Sequence, residues 1–488
     1  MPGGRRMPAP VLLSPLFPFF NFAMHPTLAS DLANVDTLLE RTRQHAVSAL
    51  ASLDDRPAAL APPAANVRPL PEEGAGLEGA LSEFAERWAA GFSGSAGPRY
   101  LGFVTGGATP ASLAGDWLTS VYDQNPTAGI DSAAPDLERE TVARLKELFG
   151  LGEAQQGVFV TGATMSNLVG LAIGREWLGE CKQVRVFEQG VAALGPVRVL
   201  SATPHSSIYK SLSMLGIGRN AVQKIATLPQ REAIDVDALE NALAALGGEP
   251  AIVVASAGTV NTVDFDDLAA IAALKQRYPF WLHVDAAFGA FVALAPDYAR
   301  LVDGLDLADS ICIDLHKWLN VPYDAAVQFT RRRDLQVRVF QNSAAYLGVP
   351  AENPDFVHLT PENSRRLRAL ATWFSLAAYG RAGHAEIVAR NIALAQVLGE
   401  KISADPGFRL LAPTRVNVVC FTLASEPDEA RINAYVRAVR DLGDVFVTST
   451  VYAGTWGLRV AFTNWRTGEA DVPRIFESLR KALNAVSR

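Results

Sequence analysis

The chain has 488 residues, 49% of them hydrophobic and 19% charged, with a formal net charge of −7. That length exceeds what one hydrophobic core serves, and the composition excludes a disordered chain. Arg331-Arg332-Arg333 is the one tight basic cluster, too little for a nucleic-acid face, and no proline-free apolar run of about 18 residues offers a membrane span.

At the N-terminus, "GGRRMPAPVLLSPLFPFFNFAM" has the basic start and apolar stretch of a signal peptide, but prolines interrupt it and no small-x-small site follows. Residues 1–23 therefore read as a disordered leader, with Met24 as the natural start. Residues 24–105 read as an N-terminal helical segment and dimer arm. In it, Leu28 to Leu53 carries apolar residues at helical spacing, a Pro/Ala-rich connector follows, and a second helix-like stretch runs from Leu77 to Ala90.

Between about Gly157 and Phe329, short apolar runs alternate with helix-length segments. The expected strands are "GVFVTG", "VRVLSA", "AIVVASAG", "FWLHVDA" and "SICIDL". Continuous apolar strands separated by helices predict an α/β fold with a largely parallel central sheet covered on both faces; residues 106–366 form this large domain. A smaller C-terminal α+β domain takes residues 367–488, with strands at "NVVCFTL" and "LRVAFTNW" and a final helix at "DVPRIFESLRKAL". Cys181, Cys312 and Cys420 are far apart and form neither a CxxC site nor a disulfide framework, which points to a reducing, cytoplasmic compartment. No metal site is expected.

Ligands of open α/β sheets gather at the carboxyl ends of the strands, and the residues there form a pattern. The first strand ends in "VTGATMSNL", a turn into a helix that offers backbone N–H groups to a phosphate. The second leaves His205 at a strand–helix junction. The fourth leaves Asp285 at the end of an apolar run, and the fifth leads to His316 and Lys317. Each has a bland explanation by itself: capping, a structural histidine, a snorkelling lysine. Together they suit a ligand with a phosphate, an aromatic ring, a basic ring nitrogen and an aldehyde, which is pyridoxal 5'-phosphate. Lys317 would form the Schiff base, Asp285 would keep the pyridine nitrogen protonated, and His205 would stack on the ring.

"PHSS", "HVDAAFGA" and "LHKW", with 32 positions between Asp285 and Lys317, resemble the group II pyridoxal-phosphate-dependent amino-acid decarboxylases, nearest the aromatic-L-amino-acid subgroup. The resemblance runs from about Gly97 to the C-terminus. It implies the type I aminotransferase-like fold and a homodimer with shared active sites. It places phosphate binding on Ala163 and Thr164, Ala287 close to the ring and His316 beside the cofactor. Two departures stand out. Asp314 occupies a position where many members have asparagine, and would repel a phosphate unless turned away or paired. A threonine common near the cofactor's phenolic oxygen is replaced by Val260, which leaves Thr259 as a cofactor-side candidate.

The reaction expected is decarboxylation of an L-amino acid to an amine and CO2. Tyr346, in a polar loop after Lys317, matches without a gap the loop tyrosine that members of the family use to protonate Cα. Tyr100, Phe103 and Val104 are the expected substrate-side lining, and an apolar lining favours an aromatic or hydrophobic substrate. Arg99 lies beside them, so a glutamate or other acidic amino-acid decarboxylase stays open. A carbon–carbon lyase or an aldehyde synthase using the same cofactor is the other alternative. Arg459, in "GLRVAF", is either a structural arginine or a clamp for a substrate carboxylate.

Overall fold

The computed structural model describes residues 24–62, 64, 67–342, 353–425 and 427–486. The leader and Tyr346 lie outside the described residues. Two compact units emerge, one drawn from Met1–Ser52 and Pro62–Phe92, the other from Leu53–Ala61 and Ser93–Arg488.

The first unit is helical: Pro26–Ala33, Val35–Ala51 and Gly76–Arg87. The single long helix expected over Leu28–Leu53 is broken at Asn34, which ends the first helix and starts the next. Asp31 accepts a hydrogen bond from the Leu77 backbone at 2.9 Å, and Phe84 sets its ring edge-on to His45 and Phe92. Within these helices Leu38 is the one buried residue. Leu28, Leu32, Val35 and Leu39 recur at helical spacing and all are exposed.

The second unit holds two sheets. The larger consists of β1 (Gln156–Val160), β2 (Val199–Ser201), β3 (Val222–Lys224), β4 (Ala251–Ser256), β5 (Phe280–Asp285), β6 (Ser310–Asp314) and β7 (Ala326–Thr330), in the order β1-β7-β6-β5-β4-β2-β3. Only β7 runs against its neighbours; the other pairs are parallel. Strands β4, β5 and β6 are buried along their whole length, as expected for parallel strands covered on both faces. The smaller sheet is antiparallel: β8 (Phe408–Leu410), β9 (Val418–Leu423), β10 (Thr448–Tyr452) and β11 (Thr455–Ala461), in the order β10-β11-β9-β8. The final helix, Asp471–Val486, buries Ile475 and Leu479 in the same core as Val419, Phe421 and Leu458.

All five expected strands of the large sheet are present. Strands β3 and β7 were not anticipated. β3 is a three-residue polar edge, and β7 carries Gln328 in its middle, buried because its side chain finds Phe329 O and Gln336.

Candidate active site

The helix Ala163–Lys182 begins immediately beyond β1, with Gly162 as its N-cap and no side chain capping it. Its first-turn N–H groups therefore remain available to an anion. On the next crossover, His205 caps the helix Ser206–Met214: its Nδ1 accepts from the Ser207 backbone at 3.3 Å and lies 2.8 Å from Ser207 Oγ. Although the residue is exposed at the cavity, desolvation by the protein around its ring is the largest influence and pushes the His205 pKa down, against the pull of Asp285. One ring nitrogen thus serves the helix while the ring lines a cavity.

Asp285 is the last residue of β5, and its carboxylate is held at both oxygens. Oδ1 accepts from the Ala287 backbone at 3.2 Å, and Oδ2 from Asn167 Nδ2 at 3.0 Å. Beyond β6 the chain forms a single helical turn, Leu315–Trp318. Lys317 thus sits on a turn three residues past the strand end, with Nζ 5.6 Å from the Phe288 ring centroid and 3.4 Å from Asp314 Oδ2. Asp314 is paired, as its departure from asparagine demanded. His316 Nδ1 also approaches Asp314 Oδ1 at 3.2 Å, but that nitrogen receives the Ala325 N–H at 3.5 Å, and Oδ1 has no hydrogen-bond partner.

A cavity of about 210 Å³ unites these residues. Ala163, His205, Thr259, Asp285, Ala287 and Lys317 line it, together with Phe103 and Val104. Phe103 adopts φ 57° and is 56% exposed, an uncommon backbone for an aromatic residue. Three expected residues are not on the wall. Tyr100 stacks on Phe446 at 4.7 Å between centroids, and His316 packs on Tyr323 at 4.3 Å. Thr164 sits in the first turn of its helix, where its carbonyl accepts from Ser211 Oγ at 3.4 Å. Thr259 is on the wall, but its hydroxyl donates to Glu232 Oε2 at 2.5 Å and accepts from the Asp264 backbone at 2.9 Å. Its proton is committed away from any ligand.

The arginines separate clearly. Arg99 is buried in a structural role, bonded to Asp471 at 2.9 Å and to the carbonyls of Asp444 and Asp54. It does not line the cavity. Arg459, carried on β11, does line it. Its Nη1 donates to Val260 O at 2.8 Å, its Nε is buried without a partner, and burial pushes its pKa down. Asn167, Ser207 and Phe288 belong to the site and escaped the sequence analysis. Asn167 and Ser207 look like ordinary polar helix positions until burial is known.

Residues 68–424 match the family described as the pyridoxal-dependent decarboxylase conserved domain. The chain belongs to this family. An aromatic-L-amino-acid decarboxylase of Bacillus atrophaeus is 28% identical over 404 residues, 80% of this chain and 82% of that one. A cysteine sulfinic acid decarboxylase of Rattus norvegicus is 30% identical over 66% of both chains. Among solved structures, Oryza sativa TDC with PLP and tryptamine superposes with a TM-score of 0.85 at 23% identity, over 96% of this chain and all of that one. The chain is a pyridoxal-phosphate-dependent amino-acid decarboxylase with the fold its sequence resemblance implied. The site fits the cofactor: an uncapped helix start for phosphate, a lysine for the aldehyde and a doubly held carboxylate for a ring nitrogen.

Proposed function

We propose that this decarboxylase acts on an aromatic or otherwise apolar L-amino acid, releasing the amine and CO2. The observation that carries the reading is the cavity wall, where Phe103, Val104, Val260 and Phe288 surround Lys317, Asp285 and His205. An apolar lining favours an apolar side chain; Arg99 is bonded to Asp471 away from the cavity, and Arg459, on the cavity wall, serves the carboxylate that every amino-acid substrate carries.

Lys317 attaches the cofactor, and Asp285 orients and balances its ring nitrogen. His205 covers the ring face. Ala163 and Thr164 would receive the phosphate at the helix start, and His316 would lie beside the cofactor. Thr259 and Ala287 shape the wall next to the ring. When bound, pyridoxal phosphate supplies the electron sink that takes up the charge left as CO2 departs. Tyr346 would hold the proton that Cα receives. Arg459 offers a buried guanidinium to the substrate carboxylate, and Tyr100 backs the wall through Phe446.

The exposed apolar row of Leu28, Leu32, Val35 and Leu39 supports a homodimer in which each N-terminal helical segment is covered by a second copy. Among the described residues no helix is long and apolar enough to cross a membrane, and the three free cysteines accord with cytoplasmic work.

The test is CO2 release from the standard amino acids plus Dopa and 5-hydroxytryptophan. Aromatic substrates are expected to give the highest kcat/KM. Glutamate or cysteine sulfinate in first place would overturn the substrate class.

A further inference from the structure

A chain of polar side chains runs beneath the cavity from β5 to His205. Trp281 Nε1 donates to Ser310 Oγ at 3.0 Å, and Ser310 Oγ lies 2.8 Å from His283 Nδ1. His283 Nε2 lies 2.9 Å from Asn167 Oδ1. Asn167 Nδ2 then branches, donating to Asp285 Oδ2 and to Ser207 Oγ, both at 3.0 Å. Ser207 Oγ reaches His205 Nδ1 at 2.8 Å. Every member except His205 is buried.

The two ends decide the direction of every bond. An indole N–H only donates and a carboxylate only accepts. Asn167 must turn its NH2 group to Asp285, so its carbonyl faces His283 and the proton of His283 sits on Nε2. Burial pushes the His283 pKa down to about 4, which keeps the ring neutral. Its Nδ1 therefore accepts from the Ser310 hydroxyl, whose oxygen accepts from Trp281. On the other branch Ser207 Oγ accepts from Asn167 and keeps its own proton to donate, with His205 Nδ1 2.8 Å away. The Ser207 backbone N–H, 3.3 Å from the same nitrogen, confirms that Nδ1 is bare.

The helix carrying Asn167 is shaped to close the chain. A Cβ on Gly170 would stand 2.7 Å from the His283 ring, and one on Gly174 2.7 Å from the Trp281 indole. Asn167, Gly170 and Gly174 fall on one helix face, and only glycine lets that face press flush on β5.

We propose that Asn167 is a positioning residue that locks two cofactor-facing groups through one amide. It holds Asp285 as an oriented carboxylate and, through Ser207, fixes His205 as the neutral tautomer with its proton on Nε2. His205 therefore meets a bound ligand as a hydrogen-bond donor and never as an acceptor at that edge. The inference rests on the reading that Asp285 and His205 serve the cofactor.

The experiment is NMR of the holoenzyme labelled with nitrogen-15 in histidine, near neutral pH, with signals assigned by single histidine substitutions. In wild type both His205 and His283 should carry the proton on Nε2. Ser207→Ala should give His205 a mixture of tautomers while His283 stays as it was. Asn167→Ala should disturb both rings and weaken pyridoxal phosphate binding by about tenfold or more, as loss of a bond to a charged group does. A wild-type His205 protonated on Nδ1 overturns the proposal without any variant having to fold. So does an Asn167→Ala enzyme with unchanged tautomers and unchanged cofactor affinity. Borohydride reduction and peptide mapping of the same preparation tests the underlying reading separately. An adduct away from Lys317 sinks that reading, whereas wrong tautomers with the adduct on Lys317 sink only the proposal.

Discussion

Lys317 Nζ stands 3.4 Å from Asp314 Oδ2, a carboxylate from the end of the preceding strand that is 2% exposed. The pair shows how this buried carboxylate is balanced: it faces the lysine. Its second oxygen has no hydrogen-bond partner, an expensive arrangement for a buried group. Asp314→Asn removes that charge, and the cofactor is expected to bind equally or more tightly, read by absorbance titration. Weakening beyond tenfold would show instead that the site requires the carboxylate as counter-ion to the lysine.

Asp285→Asn keeps the shape of the side chain and removes its charge. Under the proposed reading the carboxylate faces the cofactor's ring nitrogen, where such a charge contributes strongly. The variant should still take up cofactor but lose about 10²-fold or more in kcat, measured as amine formed under saturating substrate. Near-normal turnover would end the assignment.

Tyr346→Phe tests the proton donor. A phenol titrating near 10 is a weak acid, yet it can protonate a strongly basic carbon when water is excluded. Without that proton, Cα stays exposed to dissolved oxygen. The products should shift from amine to aldehyde and ammonia, with oxygen consumed and hydrogen peroxide formed in step with CO2. Amine at the wild-type rate would require another donor, and a wild type that already makes aldehyde would reclassify the enzyme as an aldehyde synthase.

Stability should depend on pH through two histidines. Burial pushes His283 and His384 each down to about 4, whereas an exposed histidine titrates near 6.5. On acidification the unfolded chain binds these protons first. The stabilisation is therefore complete above about pH 6.5 and is lost as pH falls toward about 4. The urea midpoint should fall between about pH 7 and about pH 5. A flat midpoint over that range would contradict the burial of both rings.

The parts legible in the sequence were those where one physical demand dominates. Strands β4, β5 and β6 are buried on both faces and so read as unbroken apolar runs. Their ends then expose Asp285 and Lys317 as charges in apolar company. β3 and β8 are three residues long, and β10 is half-exposed along most of its length, so no apolar run announces them. Arg459 could not be decided, because its place depends on how the small sheet packs over the large one. Asn167 and Ser207 were invisible for a related reason. Polar residues early in a helix ordinarily face water or cap, and only the glycines that follow bring this helix close enough to bury them.

His205 supports the first turn of its helix with the same ring that walls the cavity. Secondary structure and ligand contact are thereby welded at one position. Lengthening or shortening the turn from Ala202 to Ser207 would unseat the helix start and the ring together, so a length change in this crossover is expected to be tolerated only on its far side, beyond Met214. There, Gly216 and Gly218 both take positive φ, and a Cβ on Gly218 would meet nothing within 4 Å, so a change at that point would not reach the chemistry.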